Sequence, residues 1–333
     1  MKLHAIYALM LVVVVAVVAF IPGRAQVANT LLEEAASNNG QPGTKNWPAG
    51  NPLKIALLKW YAANLTTSFK VGQQPYGLAF DGANMWVSNN GDSTVSKLRT
   101  SDGANLGTFN VGYGPVGLAF DGANIWVANS FDNTVTKLRA NDGKNLGTFP
   151  VGKVPYYLVF DGEAVWVTNT QGTSVTKLRA SDGKNLGTFA DNGAPAGIAF
   201  DGTYIWVCNF DSTVTRFNLE GSQAGTFKVA PTPFSLAFDG ADIFVASNGG
   251  AVTKLRASDG KLLGTFNCGT DGTGIAFDGQ NLWLTAGPYI VEIRRSDGTS
   301  LLVKRLEGGL AGIGFDGANV WVAGYARDKV FKL

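Results

Sequence analysis

Histidine is all but missing from this sequence. The single imidazole, His4, sits within an apolar leader, and the chain from there to Leu333 carries none. This excludes histidine general bases, histidine metal ligands and Ser-His-Asp machinery from everything after the leader. Cysteine is nearly as scarce. Cys208 and Cys268 stand where neighbouring repeats carry small or apolar residues; export would permit a disulfide, but their spacing does not suggest one. An excess of either charge is also lacking: 27 basic residues face 25 acidic ones, and without Lys2 and Arg24 the two balance. A nucleic-acid footprint is therefore unsupported. Only one apolar run approaches membrane length, Ala5 to Ile21, between Lys2 and the small-residue site Gly23-Arg24-Ala25. That layout is a secretory signal peptide over residues 1–25, with an uncleaved anchor as the alternative. The expected location is exported: periplasmic, secreted or cell-surface, with no membrane contact apart from the signal segment.

What the chain has in abundance is a repeated phrase. GLAFDG begins at Gly77 and Gly117, YLVFDG at Tyr157, GIAFDG at Gly197, SLAFDG at Ser235, GIAFDG at Gly274 and GIGFDG at Gly312, in steps of 38 to 40 residues. A period near 40 with several short strands per unit is the signature of a propeller blade. The unit at Gly117 reads GLAF-DGAN-IWVAN-SFDN-TVTKLR-ANDGKN-LGTFPVG. Four strands are separated by three turn signals, two of them Asp-Gly, where glycine reaches positive φ and the aspartate braces the turn. The expected fold is all-β: a seven-bladed β-propeller of four-stranded antiparallel blades spanning residues 65–333.

Two repeated residue types invite a chemical reading. The FDG aspartates Asp81, Asp121, Asp161, Asp201, Asp239, Asp278 and Asp316 could form a ring of carboxylates. A turn residue is needed in every blade, however, whereas a catalytic or metal-binding group is needed once or twice, so repetition points to turn bracing. Trp86, Trp126, Trp166, Trp206, Trp283 and Trp321 share one position, with Phe244 in the remaining unit. They read as core, since burying an indole between blades is worth roughly 4 to 6 kcal/mol before entropy is subtracted. No ligand set for a quinone or other cofactor accompanies them, and neither cofactor nor metal is implied.

The second strand reads WVSN from Trp86, WVAN from Trp126, WVTN from Trp166 and WVCN from Trp206, each followed by a polar loop and a TV-x-K-L type of strand. This resembles the 40-residue YVTN repeat of bacterial YncE-like β-propellers, with Trp in place of the motif's tyrosine. Units five to seven depart from it as FVAS, WLTA and WVAG, which puts the role of the terminal Asn in question there. The resemblance implies a seven-bladed, usually exported propeller and no agreed activity.

The last unit ends at KVFKL, which matches a third strand, so its fourth strand is missing from the C-terminus. Leu65 to Gly72, LTTSFKVG, matches fourth strands such as LGTFNVG. An N-terminal strand is thus expected to complete the last blade and close the ring, removing edges that would otherwise pair with other chains. Ahead of it, Asn, Gly and Pro clusters mark residues 26–51 as a flexible linker. Residues 52–64 read as a short amphipathic helix, with Leu53, Ala56, Leu57, Trp60 and Tyr61 on one face.

The turns between first and second and between third and fourth strands share one face and are nearly uniform. The second-to-third-strand loops and the blade-to-blade loops share the other and vary, and variable loops on a rigid scaffold are where recognition lives. The candidate ligand-binding residues at the channel mouth are Gln73, Tyr76, Tyr113, Lys153, Tyr156, Phe234 and Asp271, with Asp92, Phe131, Asp132, Phe210, Asp211, Tyr289, Tyr325 and Arg327 farther out. Aromatics with amides and a few charges suit a peptide, a glycan or a small polar ligand. Equally, the aromatics could pack the loops and plug the channel. The expected function is an exported, monomeric binding or interaction scaffold with no evident catalytic residues. The alternatives are a metal-dependent lyase or lactonase of the streptogramin-lyase type and a purely structural surface protein. Similar lyase propellers call for His and Glu near the channel; here only Glu307, just before a blade-to-blade loop, is so placed.

Overall fold

Within each unit, short runs with β-branched and aromatic residues alternate with Asp-Gly turns, and the chain folds back on itself at each turn. In the second blade this gives strands Pro115–Phe120, Asn124–Asn129, Thr134–Arg139 and Asn145–Pro150, paired antiparallel in chain order. A computed structural model describes residues 67–191, 193–269 and 272–333. The sequence-based expectations for the signal peptide, the linker and the helix over 52–64 lie outside those residues, as do Leu65, Thr66 and the candidate Asp271. Among the described residues, no helix is long and apolar enough to cross a membrane.

Seven four-stranded sheets result, six of them in sequence order and the seventh ordered Thr67–Lys70, Lys329–Lys332, Val320–Gly324, Ile313–Phe315. Closure by an N-terminal strand is therefore present. Thr67 lies opposite Lys332 and Phe69 opposite Val330 in an antiparallel pair. The first strands stand side by side around a central channel, and their recurring glycine is what lets them approach. A Cβ on Gly117 would lie 2.5 Å from the Tyr156 carbonyl oxygen of the next blade, and one on Gly197 would lie 2.7 Å from that of Phe234. Second strands such as Asn124–Asn129 are almost wholly buried because neighbouring blades cover both their faces. The fourth strands, at the rim, alternate between exposed and half-buried residues.

Three contacts recur at most of the seams. The FDG aspartate braces its turn and also accepts the indole N–H of the next strand's Trp: Asp81 Oδ1 takes the backbone N–H of Ala83 and Asn84 at 2.9 and 2.7 Å, while Oδ2 takes Trp86 Nε1 at 2.8 Å. The third-strand lysine lies over that Trp and donates to backbone carbonyls at the outer hairpin of the following blade. Lys97 Nζ sits 5.2 Å from the Trp86 ring and 2.6 Å from Ala140 O, and Lys137 Nζ is 2.6 Å from Ala180 O. Finally, the fourth-strand Phe tilts against its own blade's Trp, as Phe109 does against Trp86 at 5.5 Å, and its ring occupies the space left by the missing side chain of Gly143 in the next blade's hairpin.

The seam formed by the two chain ends is built the same way. Phe69 stacks on Trp321 at 5.6 Å and lies against Gly103, and Lys332 Nζ reaches Thr100 O at 2.7 Å. The seam between the sixth and seventh blades is different. No hairpin joins the third and fourth strands of the seventh blade, so it offers neither the carbonyls nor the glycine seat. Here the lysine position is Glu292, which accepts from Asn281 Nδ2 at 2.8 Å within its own blade.

Candidate functional site

At the variable mouth the structure brings Tyr76, Tyr156 and Phe234 together from three different blades. The Tyr76 and Tyr156 hydroxyls hydrogen-bond to each other. The Tyr156 ring meets Phe234 edge-on at 5.8 Å, Tyr76 meets Tyr325 at 6.2 Å, and Phe210 packs on Phe234 at 5.9 Å. Tyr157, which stands where most blades have the channel glycine, completes the group at 5.0 Å from Tyr156. Burial, reinforced by the neighbouring phenols, holds Tyr76 and Tyr156 above the usual tyrosine pKa, and Tyr157 well above it. These rings are neutral hydrogen-bonding groups. Tyr157 also lines a channel cavity of about 150 Å³, together with the inner-strand glycines and Ser235.

The mouth is thus filled by the protein's own aromatic side chains, which is the plug alternative open at the sequence level. Tyr157 is the residue that sequence reasoning missed; its signal was a tyrosine in a column of glycines. The other candidates lie on the rim. Gln73 and Lys153 are exposed, and Tyr113 is 59% exposed beside Phe131 at 62%.

Acidic loop residues offered as recognition groups turn out to hold the loops in place. Asp92 Oδ2 accepts the Gln73 N–H at 2.5 Å, Asp132 Oδ2 that of Tyr113 at 2.6 Å, and Asp211 Oδ1 the Thr213 hydroxyl at 2.6 Å. Asp328, not singled out from the sequence, does the same for the Gln74 N–H at 3.0 Å. The Asn of the WVxN strand ties the same region from below, as Asn129 Nδ2 donates to Thr134 and Thr136 hydroxyls at 3.1 and 2.9 Å. Blades five to seven, with Ser247, Ala286 and Gly324 in its place, lack that amide.

Asp191 occupies the column of the core valines Val71, Val111 and Val151. It is 2% exposed, accepts from Thr215 Oγ1 at 3.1 Å, and leaves Oδ2 buried without a partner. Burial, with the Asp211 charge nearby, pushes its carboxyl above the usual range.

The opposite, FDG-bearing face is less uniform than its sequence suggests. A groove of about 550 Å³ between the fourth and fifth blades is lined by Tyr204, Phe238, Asp242 and Arg256. Another, of about 540 Å³ between the third and fourth, is lined by Glu163, Lys177, Leu219 and Glu220. Each is lined by a residue that departs from the DGAN turn, Tyr204 in DGTY and Glu163 in DGEA. Several of their charges are already engaged: Lys254 with Asp242 at 3.0 Å, Arg256 with Asp259 at 3.3 Å, and Lys177 with Leu219 O at 2.7 Å.

Glu307, the one glutamate placed near the channel by sequence, lies 3.8 Å from Lys329 and is 70% exposed. Among the described residues no cluster of three or more His, Cys, Asp or Glu is arranged to hold a metal. Both cysteines are free thiols, and burial pushes the Cys208 thiol up to about 12.

Comparison with known proteins agrees with the fold and stops there. No family model matches the chain, and no curated protein matches it. Among solved structures it is similar to Kuenenia stuttgartiensis hydrazine synthase, with a TM-score of 0.68 at 16% sequence identity, over 78% of this chain and 95% of that one. At that identity the likeness is one of fold: a β-propeller.

Proposed function

We propose that this protein is an exported, non-catalytic binding scaffold, and that it engages a peptide, glycan or small polar ligand through the face bearing the second-to-third-strand and blade-to-blade loops. The observation that carries this reading is the division of labour between the layers of the ring. The Asp–Trp bond, the lysine reaching the next blade's carbonyl and the Phe seated on glycine repeat beneath the surface, whereas the loop face differs at every blade and keeps its aromatics exposed on the rim. A rigid ring spends little conformational entropy in presenting such loops.

Ligand screening by thermal shift tests it. A ligand that binds the native ring at a concentration of about 100 times its Kd stabilises it by about 2.7 kcal/mol, which a melting curve registers readily. Shifts abolished by substitutions at Tyr113, Lys153 or Phe131 support the reading. A panel of peptides, glycans and polar metabolites that leaves the melting temperature unchanged contradicts it.

A further inference from the structure

We infer that the rim of the second blade carries a carbohydrate platform, on which one pyranose ring stacks against Tyr113 and Phe131. This deepens the binding-scaffold reading and rests on it. The two rings lie 5.1 Å apart at a tilt of 42° and present a shallow apolar surface. They are 59% and 62% exposed, an arrangement whose apolar area gains nothing from the fold and is available to a ligand.

The pair is held firmly. Ser130 donates to Gly114 O from its backbone N–H at 2.9 Å and from its hydroxyl at 2.8 Å, and the Phe131 N–H donates to Tyr113 O at 3.2 Å. The Tyr113 N–H is fixed by Asp132. Gly114, at φ +67°, has the Phe131 ring where a Cβ would stand, so the ring is seated directly on the loop backbone. The next loop joins in through the Val154 N–H, which donates to Asn133 Oδ1 at 2.8 Å and so ties the loop that carries Lys153 to the loop that carries Phe131. Pre-organisation of this kind is unnecessary for aromatics that only fill space, and it lowers the entropy cost of binding.

The polar groups left at the edge select the ligand. Exposed residues of the same and the adjoining loops carry the Tyr113 hydroxyl, the second Asp132 oxygen, the Asn133 amide N–H₂ and the Lys153 ammonium, supplying donors and an acceptor together. A sugar has the matching construction, with an apolar face of C–H groups and an edge of hydroxyls that both donate and accept. A strand-adding peptide would need an unpaired strand edge, and the neighbouring strands Asn124–Asn129 and Thr134–Arg139 are paired on both sides. A proline-rich peptide needs an aromatic-lined groove, and one tilted ring pair with hydroxyl, carboxylate, amide and ammonium groups on its loops suits a sugar better.

The test is saturation-transfer difference NMR on the purified protein with neutral tetrasaccharides: cello-, malto-, manno- and chito-tetraose. The expected result is binding of at least one, weakened about tenfold or more, a difference of about 1.4 kcal/mol, in Tyr113→Leu/Phe131→Leu and retained in Leu186→Ser on the rim strand Asn185–Ala190 of the third blade. Leucine keeps the loops apolar, and an unchanged melting temperature confirms that the variant folds; Lys153→Ala, which touches no packing, must weaken binding as well. Sugar binding indifferent to the ring substitutions overturns the platform and leaves the scaffold reading standing. Binding of a decaproline peptide in place of every sugar, lost in the ring variant, overturns the sugar and keeps the site. Silence from sugars, peptide and the thermal-shift panel together overturns both.

Discussion

Trp126 donates its indole N–H to Asp121 Oδ2 at 2.7 Å, and the same bond joins Trp to the FDG aspartate in all six blades that carry a Trp. The fifth blade has Phe244, which cannot donate. Its aspartate, Asp239, accepts instead from Arg295 Nη1 of the next blade at 2.7 Å. Burial raises the Asp81 and Asp316 carboxyls, but hydrogen bonds led by the indole outweigh it and leave both below the usual range.

Removing Asp121 therefore strands a buried indole N–H and unbraces a turn. Asp121→Ala should lose about 2 to 4 kcal/mol, a charge-assisted bond plus an unsatisfied donor. In the fifth blade, Phe244→Trp should rescue most of the loss caused by Arg295→Ala, because the new indole can take over the free oxygen. Chemical denaturation of the two single variants and the double measures the coupling.

Closure at the chain ends uses the same contacts as the internal seams, so its parts should matter equally. Phe69→Ala and Phe109→Ala should each cost about 3 to 5 kcal/mol, and the two values should agree within about 1 kcal/mol by denaturant unfolding. Deleting residues 329–333 removes the strand that Thr67–Lys70 pairs with and should sharply lower the melting temperature.

Without a glycine seat or a lysine contact, the seam between the sixth and seventh blades should open first. Native-state hydrogen exchange is expected to show lower protection in Leu282–Ala286 and Val320–Gly324 than in the equivalent strands Asn124–Asn129 and Ala164–Asn169.

Asp191 gives a pH-dependent effect whose sign follows from its raised pKa. With an ordinary value of 3.8 in the unfolded chain and a higher one in the fold, its cost is absent below pH 3.8, grows as pH rises through the folded value and is complete above it. Asp191→Val, restoring the residue found in neighbouring blades, should stabilise the protein by about 1 to 3 kcal/mol at neutral pH. The gain should shrink toward zero in acid. Melting curves across that range check both statements.

The fold was legible because each blade repeats its turn chemistry and its buried column, and because KVFKL and LTTSFKVG carry complementary halves of a blade. The seam contacts were less so. Lys137 and Phe149 look like ordinary strand residues until the next blade's carbonyls and hairpin glycine are placed beside them, and the second role of Asp121 depends on a side chain five positions on. At the mouth, Tyr76, Tyr156 and Phe234 could be named from loop variation, but whether they open or fill the channel depends on Tyr157, an inner-strand residue whose reach across the channel is a matter of blade geometry. The grooves on the FDG face were hidden for a similar reason: single replacements such as Glu163 and Tyr204, which line them, look minor within a repeat and matter only where two blades meet.

Binding measured on two opposed surface variants tests the central claim, that recognition lies on the loop face. One variant replaces Tyr113, Phe131 and Lys153; the other replaces Phe238 and Glu220 in the grooves of the FDG face. Thermal-shift and NMR binding against the same panel should be lost in the first and intact in the second. Binding that survives the first and disappears in the second would contradict the account.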